Sequence, residues 1–187
     1  MMDVGEKPVT FRQAEAQGII RLSPEVFERV RTNTLPKGNA LALAEVAGIL
    51  AAKKTADLLP LCHPLPLNQV QVVCELDPKN HHVVVRCLAS TIAKTGVEME
   101  VLLGVSGALL CIYDLTKSLD PALIISDIRL NYKEGGKSGY WKHPLADTSR
   151  APSSLELEGV RAAVVTISDR VSTGVVRDLS GPVIERI

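Results

Sequence analysis

Asp114 and Lys117 stand one helical turn apart in the string YDLTK, residues 113–117. On a helix that spacing puts both side chains on one face. The pair reads as a plain surface ion pair, or as an acid–base couple whose lysine is brought toward neutrality by burial. Glu98-Met99-Glu100 sets two carboxylates close together. Mutual repulsion raises a carboxyl pKa and makes a general acid, yet acidic residues at a helix start are also ordinary stabilisers. Leu61-Cys62-His63-Pro64 carries a histidine, which can meet phosphate or shuttle a proton near neutral pH. Between Leu61 and Leu65 it also reads as a satisfied core histidine. Lys37-Gly38 precedes an Ala-rich helix, where a lysine beside a helix N-terminus can hold an anion or simply be solvated. The loop KEGGKSG, 133–139, adds Lys133, Lys137 and Ser138. It is no Walker A loop: the position that needs the first glycine is Asn131, and no helix start follows Ser138.

Elements must position these groups. Residues 1–22 open polar and promise a short strand at best. Ser23-Pro24-Glu25 starts a helix to about Arg31, with Ser23 as its cap. A second helix runs from Ala40 to about Thr55, its buried face carrying Leu41, Ala44, Val46, Ile49 and Ala52. Pro60, Pro64 and Pro66 then forbid regular structure in an apolar segment, which must pack in a fixed irregular shape. Residues 69–77 and 82–90 alternate at period two and form a hairpin. Cys74 and Cys87 fall roughly opposite in it and read as reduced core thiols. A long helix covers 96–119, with a small-residue patch at Gly104, Ser106, Gly107 and Ala108, and a strand covers 123–132. The sum is an α+β fold, a ferredoxin-like antiparallel sheet packed with helices, over residues 1–140. Residues 141–159 are a Pro- and Ser-rich linker, and 160–187 an α/β segment too short for its own core.

Composition removes whole classes. The 187 residues are 46% hydrophobic, too apolar for disorder. Lys plus Arg equals Asp plus Glu at 21 each, so no global positive field attracts nucleic acid, and any anionic substrate must meet local cations. Aromatics at 3% are too few for a base-stacking platform. No apolar run of membrane-span length and no signal-peptide core are evident, so a cytoplasmic protein with no membrane partner is expected. Glu100 and Asp114 on one straight helix stand about 21 Å apart. One small substrate cannot touch both from one chain. Either two sites exist, or one is assembled across a subunit boundary, with the small-residue patch as the place where two copies meet.

These strings resemble one family. KTADLLPLCHPLPL, TGVEMEVLLGVSGALLCIYDLTKSLD and KEGGKSG are similar to molybdenum-cofactor biosynthesis protein C, the cyclic pyranopterin monophosphate synthases. DVGEKPVTFRQAEAQG and KGNALALAEVAGILAAKKT fit too, and the resemblance spans roughly 2–140. It implies a lyase that converts a cyclised dihydro-GTP to cyclic pyranopterin monophosphate with release of diphosphate and without a redox cofactor or metal. It implies a homohexamer, a trimer of dimers with sites at dimer boundaries. Catalytic roles then fall on Asp114, Lys117 and Lys37, and substrate contacts on Leu61, Cys62, His63, Glu98, Met99, Glu100, Lys133 and Lys137. One departure is Asn39, where the family usually has Asp after Lys-Gly. VRAAVVTISDRVSTGVVRDLSGPVIERI resembles the start of a molybdopterin adenylyltransferase domain, without its glycine-rich core, so no activity is assigned to it. The rival class is a non-catalytic module binding pterin or nucleotide phosphate. It would keep the lysines without needing Asp114 beside Lys117. A purely structural oligomer would leave the histidine among prolines unexplained.

Overall fold

A computed structural model describes residues 1–146. The expectations for the rest of the linker and for 160–187 lie outside these residues. The described part is α+β: a five-stranded antiparallel sheet in the order β2-β3-β1-β4-β5, packed against helices.

β1 (Thr10–Arg21) corrects the first expectation. It is a long central strand, paired with β3 on one side and β4 on the other. Its inward residues include Ala14, Ala16 and Gly18, too small to show as an apolar stripe. Their size is what the fold needs: a Cβ on Gly18 would lie 2.8 Å from Leu109 Cδ1. The hairpin is present as β2 (Gln69–Asp77) and β3 (His82–Ala93), and Val83, Val85, Cys87 and Ala89 are fully buried. Its register sets Cys87 against Val72 and Cys74 against Val85, so the two thiols are diagonal, not opposite. All four cysteines are free.

In α1 (Pro24–Arg31) Ser23 stands at the cap position, but its hydroxyl makes no cap hydrogen bond. Burial of Val26, Phe27 and Val30 holds this helix instead. α2 (Ala40–Lys53) ends sooner than expected, and α3 (Thr55–Leu58) adds a single turn. Its buried line is Ala40, Ala44, Gly48 and Ala52, at intervals of four, while Val46 is exposed. Size selects that line, not hydrophobicity, because α4 lies against it.

α4 (Glu98–Thr116) is shorter at both ends than expected. By length and composition alone it could cross a membrane. Here it is a core helix, burying Val101, Val105, Leu109 and Ile112. Its small-residue patch is already filled by α2. A Cβ on Gly107 would stand 2.5 Å from Ala51 Cβ, and one on Gly104 2.6 Å from Cys87 Sγ. Gly104 and Ala108 are thus spent on packing within the chain, while Ser106 and Gly107 stay partly exposed beside Leu110. β4 (Ile124–Glu134) is bulged opposite Glu15–Ile19, with Asp127 at φ +55. β5 (Trp141–Lys142) pairs with Tyr132 and Lys133, so the sheet continues past residue 140.

Candidate active site

The two ends of α4 carry two separate groups of side chains. At its C-terminal end, Lys117 Nζ lies 2.7 Å from Asp114 Oδ1. Lys37 joins them from the loop before α2. Its Nζ lies 3.4 Å from Asp114 Oδ2 and donates to the Asp114 carbonyl at 3.1 Å. That loop is built to hold the lysine. Leu35 is buried, Gly38 closes a turn back onto the Leu35 carbonyl, and φ +92 at Gly38 favours a residue without Cβ. Asn39 then caps α2, its side-chain oxygen accepting from the Ala42 N–H at 3.1 Å.

This cluster is open to solvent, the Lys117 and Asp114 side chains being 52% and 58% exposed. The Lys117 hydrogen bond and charge, followed by those of Lys37, hold the Asp114 carboxyl below its ordinary range. Asp114 in turn raises the Lys117 ammonium above its own. Lys117 is therefore not brought toward neutrality by burial within one protomer. Lys117 there is a firmly protonated donor, and Asp114 an ionised acceptor.

At the N-terminal end lies a cavity of about 570 Å³. Leu61, Cys62, His63, Glu98, Met99 and Glu100 all line it, so the LCH and EME strings meet in space. The proline-rich segment keeps its irregular path through specific ties. The Thr91 hydroxyl donates to the Pro66 carbonyl at 2.6 Å, Asn68 N–H to the Ser90 carbonyl at 2.9 Å, and Leu65 and Leu67 pack on the core. Glu98 Oε1 pairs with Lys133 Nζ at 2.8 Å. Its side chain folds back over Gly96, where any Cβ would collide with the carboxylate.

Glu100 is only 4% exposed. Burial pushes its carboxyl above the ordinary range; its own backbone N–H opposes that, and Glu98 adds to it. The expected carboxylate repulsion is thus present but secondary to burial. Burial, with help from Glu100, also raises the Cys62 thiol, so Cys62 is no ready nucleophile. Lys137 is exposed on the glycine-rich turn. Ser138 lines a separate open recess of about 500 Å³ with Lys133, Tyr140 and Trp141. Sequence reasoning missed Val4, Lys7, Thr95 and Gly96 in the main cavity wall. Thr95 and Gly96 adjoin the EME string in sequence, whereas Val4 and Lys7 have no periodicity to mark them and reach it only through the fold.

Two carboxyl groups, one of them buried, and an imidazole suit recognition of ring N–H groups and proton transfer. The opposite end, with two ammoniums about one carboxylate, suits a phosphate-bearing ligand. The structure brings His63 to Glu100 and Lys37 to Asp114, but not one group to the other.

A model of the MoaC family matches residues 1–136. The chain is 51% identical over 185 residues to a molybdenum cofactor biosynthesis bifunctional protein of Synechococcus elongatus, covering 99% of this chain and 58% of that protein. It is 46% identical over 151 residues to a cyclic pyranopterin monophosphate synthase of Herpetosiphon aurantiacus, covering 80% of this chain and 92% of the relative. It is 49% identical over 139 residues to one of Trichodesmium erythraeum, at 74% and 84% coverage.

Proposed function

The chain belongs to the MoaC family, and from that premise we propose that it is a cyclic pyranopterin monophosphate synthase, a lyase of molybdenum cofactor biosynthesis acting in the cytoplasm. Its substrate is the cyclised dihydro-GTP, and its products are cyclic pyranopterin monophosphate and diphosphate. The observation that carries this reading is the division of chemistry between the ends of α4. Carboxylates and a histidine in a cavity stand at one end, and Lys37, Asp114 and Lys117 at the other.

A homohexamer, arranged as a trimer of dimers, completes each site by bringing one end of α4 against the opposite end in a neighbour. Gly104 and Ala108 of the small-residue patch are buried within the chain, so the contact draws on exposed side chains. α4 and α2 present exposed Met99, Leu110, Leu43, Val46 and Leu50 for it. In the joined pocket the guanine-derived ring meets Glu98, Met99, Glu100 and the Leu61–His63 turn. The triphosphate meets Lys37, Lys117, Lys133 and Lys137.

Closure of the cyclic phosphate forms a bond from a sugar hydroxyl oxygen to the α-phosphorus and breaks the bond to diphosphate. The hydroxyl proton passes to a base, and the diphosphate charge is met by the ammoniums. Lys117, which Asp114 holds protonated, acts as donor in this reading. Enclosure by a neighbour would desolvate these groups and bring the lysine closer to neutral.

The test is incubation of the chain with the cyclised GTP intermediate, following cyclic pyranopterin monophosphate by fluorescence after oxidation and diphosphate by a coupled assay. Both products should appear in equal amounts. Tight binding without either product is the outcome that favours the non-catalytic module.

A further inference from the structure

Glu98 opens α4, and helical side chains lean toward the N-terminal end of their helix. Its carboxylate is therefore directed over the residues that precede the helix, and it lies over Gly96. The nearest atoms that a Cβ on Gly96 would meet all belong to that carboxylate: Oε2 closest, then Cδ at 2.7 Å and Oε1 at 3.0 Å. Turning the carboxylate about its last bond leaves Cδ in place, so the whole group would have to move away. The backbone at Gly96 is not left-handed, so its own conformation does not require glycine there. The neighbouring carboxylate requires it.

From that seat Glu98 Oε1 reaches Lys133 Nζ at 2.8 Å, and both side chains are partly buried. Glu98 lines the main cavity, whereas Lys133 lines the recess with Ser138, Tyr140 and Trp141. The pair thus links the two and draws the Lys133 ammonium to the cavity side. A lysine has a long flexible stem and, left unpaired, spreads its ammonium over many positions. The Glu98 carboxylate selects one of them.

We propose that Gly96 is a positioning residue for the reaction: by lacking a Cβ it seats the Glu98 carboxylate, which in turn presents the Lys133 ammonium to the phosphate chain of the substrate. The inference deepens the synthase reading and rests on it for the identity of that chain. Gly96 itself need touch nothing in the substrate.

The test compares Gly96→Ala, Glu98→Ala and the double variant with the unsubstituted chain. Three quantities are read: kcat/KM for the cyclised GTP intermediate, the thermal midpoint, and acetylation of Lys133 by acetic anhydride, located by mass spectrometry. Gly96→Ala should lower kcat/KM about tenfold. Its thermal midpoint should not fall, because the backbone accepts alanine and alanine restricts the unfolded chain. Acetylation of Lys133 should rise severalfold, to the level of Glu98→Ala. In the Glu98→Ala background no carboxylate is left to displace, so adding Gly96→Ala should change kcat/KM and acetylation by less than about twofold. An equal loss in both backgrounds overturns the inference, since a general packing defect acts with or without Glu98. Unchanged acetylation of Lys133 in Gly96→Ala overturns it too. Failure of the unsubstituted chain to form product overturns the synthase reading and with it the reaction served, while the acetylation series still decides whether Gly96 seats Glu98.

Discussion

Lys37, on the loop before α2, clasps the last turn of α4 at Asp114, with its Nζ 3.1 Å from the Asp114 carbonyl oxygen and 3.4 Å from Oδ2. Lys117 takes the other carboxylate oxygen at 2.7 Å. One carboxylate therefore orients two ammoniums that come from distant parts of the chain. Neither lysine is buried, so the arrangement is held by this electrostatic link and by the capped start of α2.

Asp114→Asn should accordingly cost activity far more than stability. The amide keeps the shape but no longer fixes two cations, and turnover should fall by about 100-fold or more. Exposed ion pairs contribute little to folding, so the thermal midpoint should move by no more than about 2 °C. Lys117→Ala should abolish turnover with the oligomer intact by size-exclusion chromatography. Near-normal activity of Lys117→Ala would refute its role as donor.

Asn39 replaces the family's usual aspartate, and the structure gives it a definite task as the cap of α2. Asn39→Ala should cost about 1 kcal/mol in urea unfolding, the usual worth of a cap. Asn39→Asp should be at least as stable as the original, since a carboxylate is favoured at a helix N-terminus. If Asn39→Asp instead changes kcat while leaving stability alone, the residue tunes Lys37 and the capping explanation is insufficient.

The period-two hairpin and the helix carrying Asp114 were legible in the sequence because burial writes itself in alternation and in three- and four-residue spacing. β1 was not, since Ala14, Ala16 and Gly18 are inward-facing by virtue of being small, which hydrophobic patterning does not register. The same blindness assigned Val46 to the buried face of α2, where Gly48 lies instead against the Gly104 carbonyl. Of the site, the clusters Leu61–His63, Glu98–Glu100 and Asp114–Lys117 were legible as local strings. The clasp between Lys37 and Asp114, and the arrival of Lys7 at the cavity, are long-range consequences of the fold that no local spacing encodes.

Glu100 should make stability depend on pH in a specific direction. Its folded-state pKa is raised, chiefly by burial, so the folded chain holds this proton more tightly than the unfolded chain does. That contribution is fully present below the ordinary carboxylate range, near about 4.3, and is lost as pH rises through the raised value. Glu100→Gln cannot ionise. Its stability advantage over the unsubstituted chain should therefore grow with pH from about 4 upward and level off once Glu100 is ionised in both states. The plateau height, at about 1.4 kcal/mol per pH unit, measures how far burial has moved the carboxyl. Urea unfolding from pH 4 to 8 reads it directly, and a difference constant across that range would contradict the assignment.

Mixing two dead variants tests whether the two ends of α4 work together across a subunit boundary. Lys117→Ala removes a group at one end, and His63→Ala a group at the other. In a two-fold dimer each site draws one end from each copy, so a hybrid dimer has one site with both defects and one with neither. Random assembly of equal amounts gives half hybrids, and hence about a quarter of the normal number of intact sites. Co-expression of differently tagged variants, with tandem affinity purification, isolates the hybrid and should raise recovery to about half. Each variant alone should stay inactive. A purified hybrid with no activity would mean that each site is complete within one chain. That result would require α4 to serve two separate sites, because its ends stand about 21 Å apart.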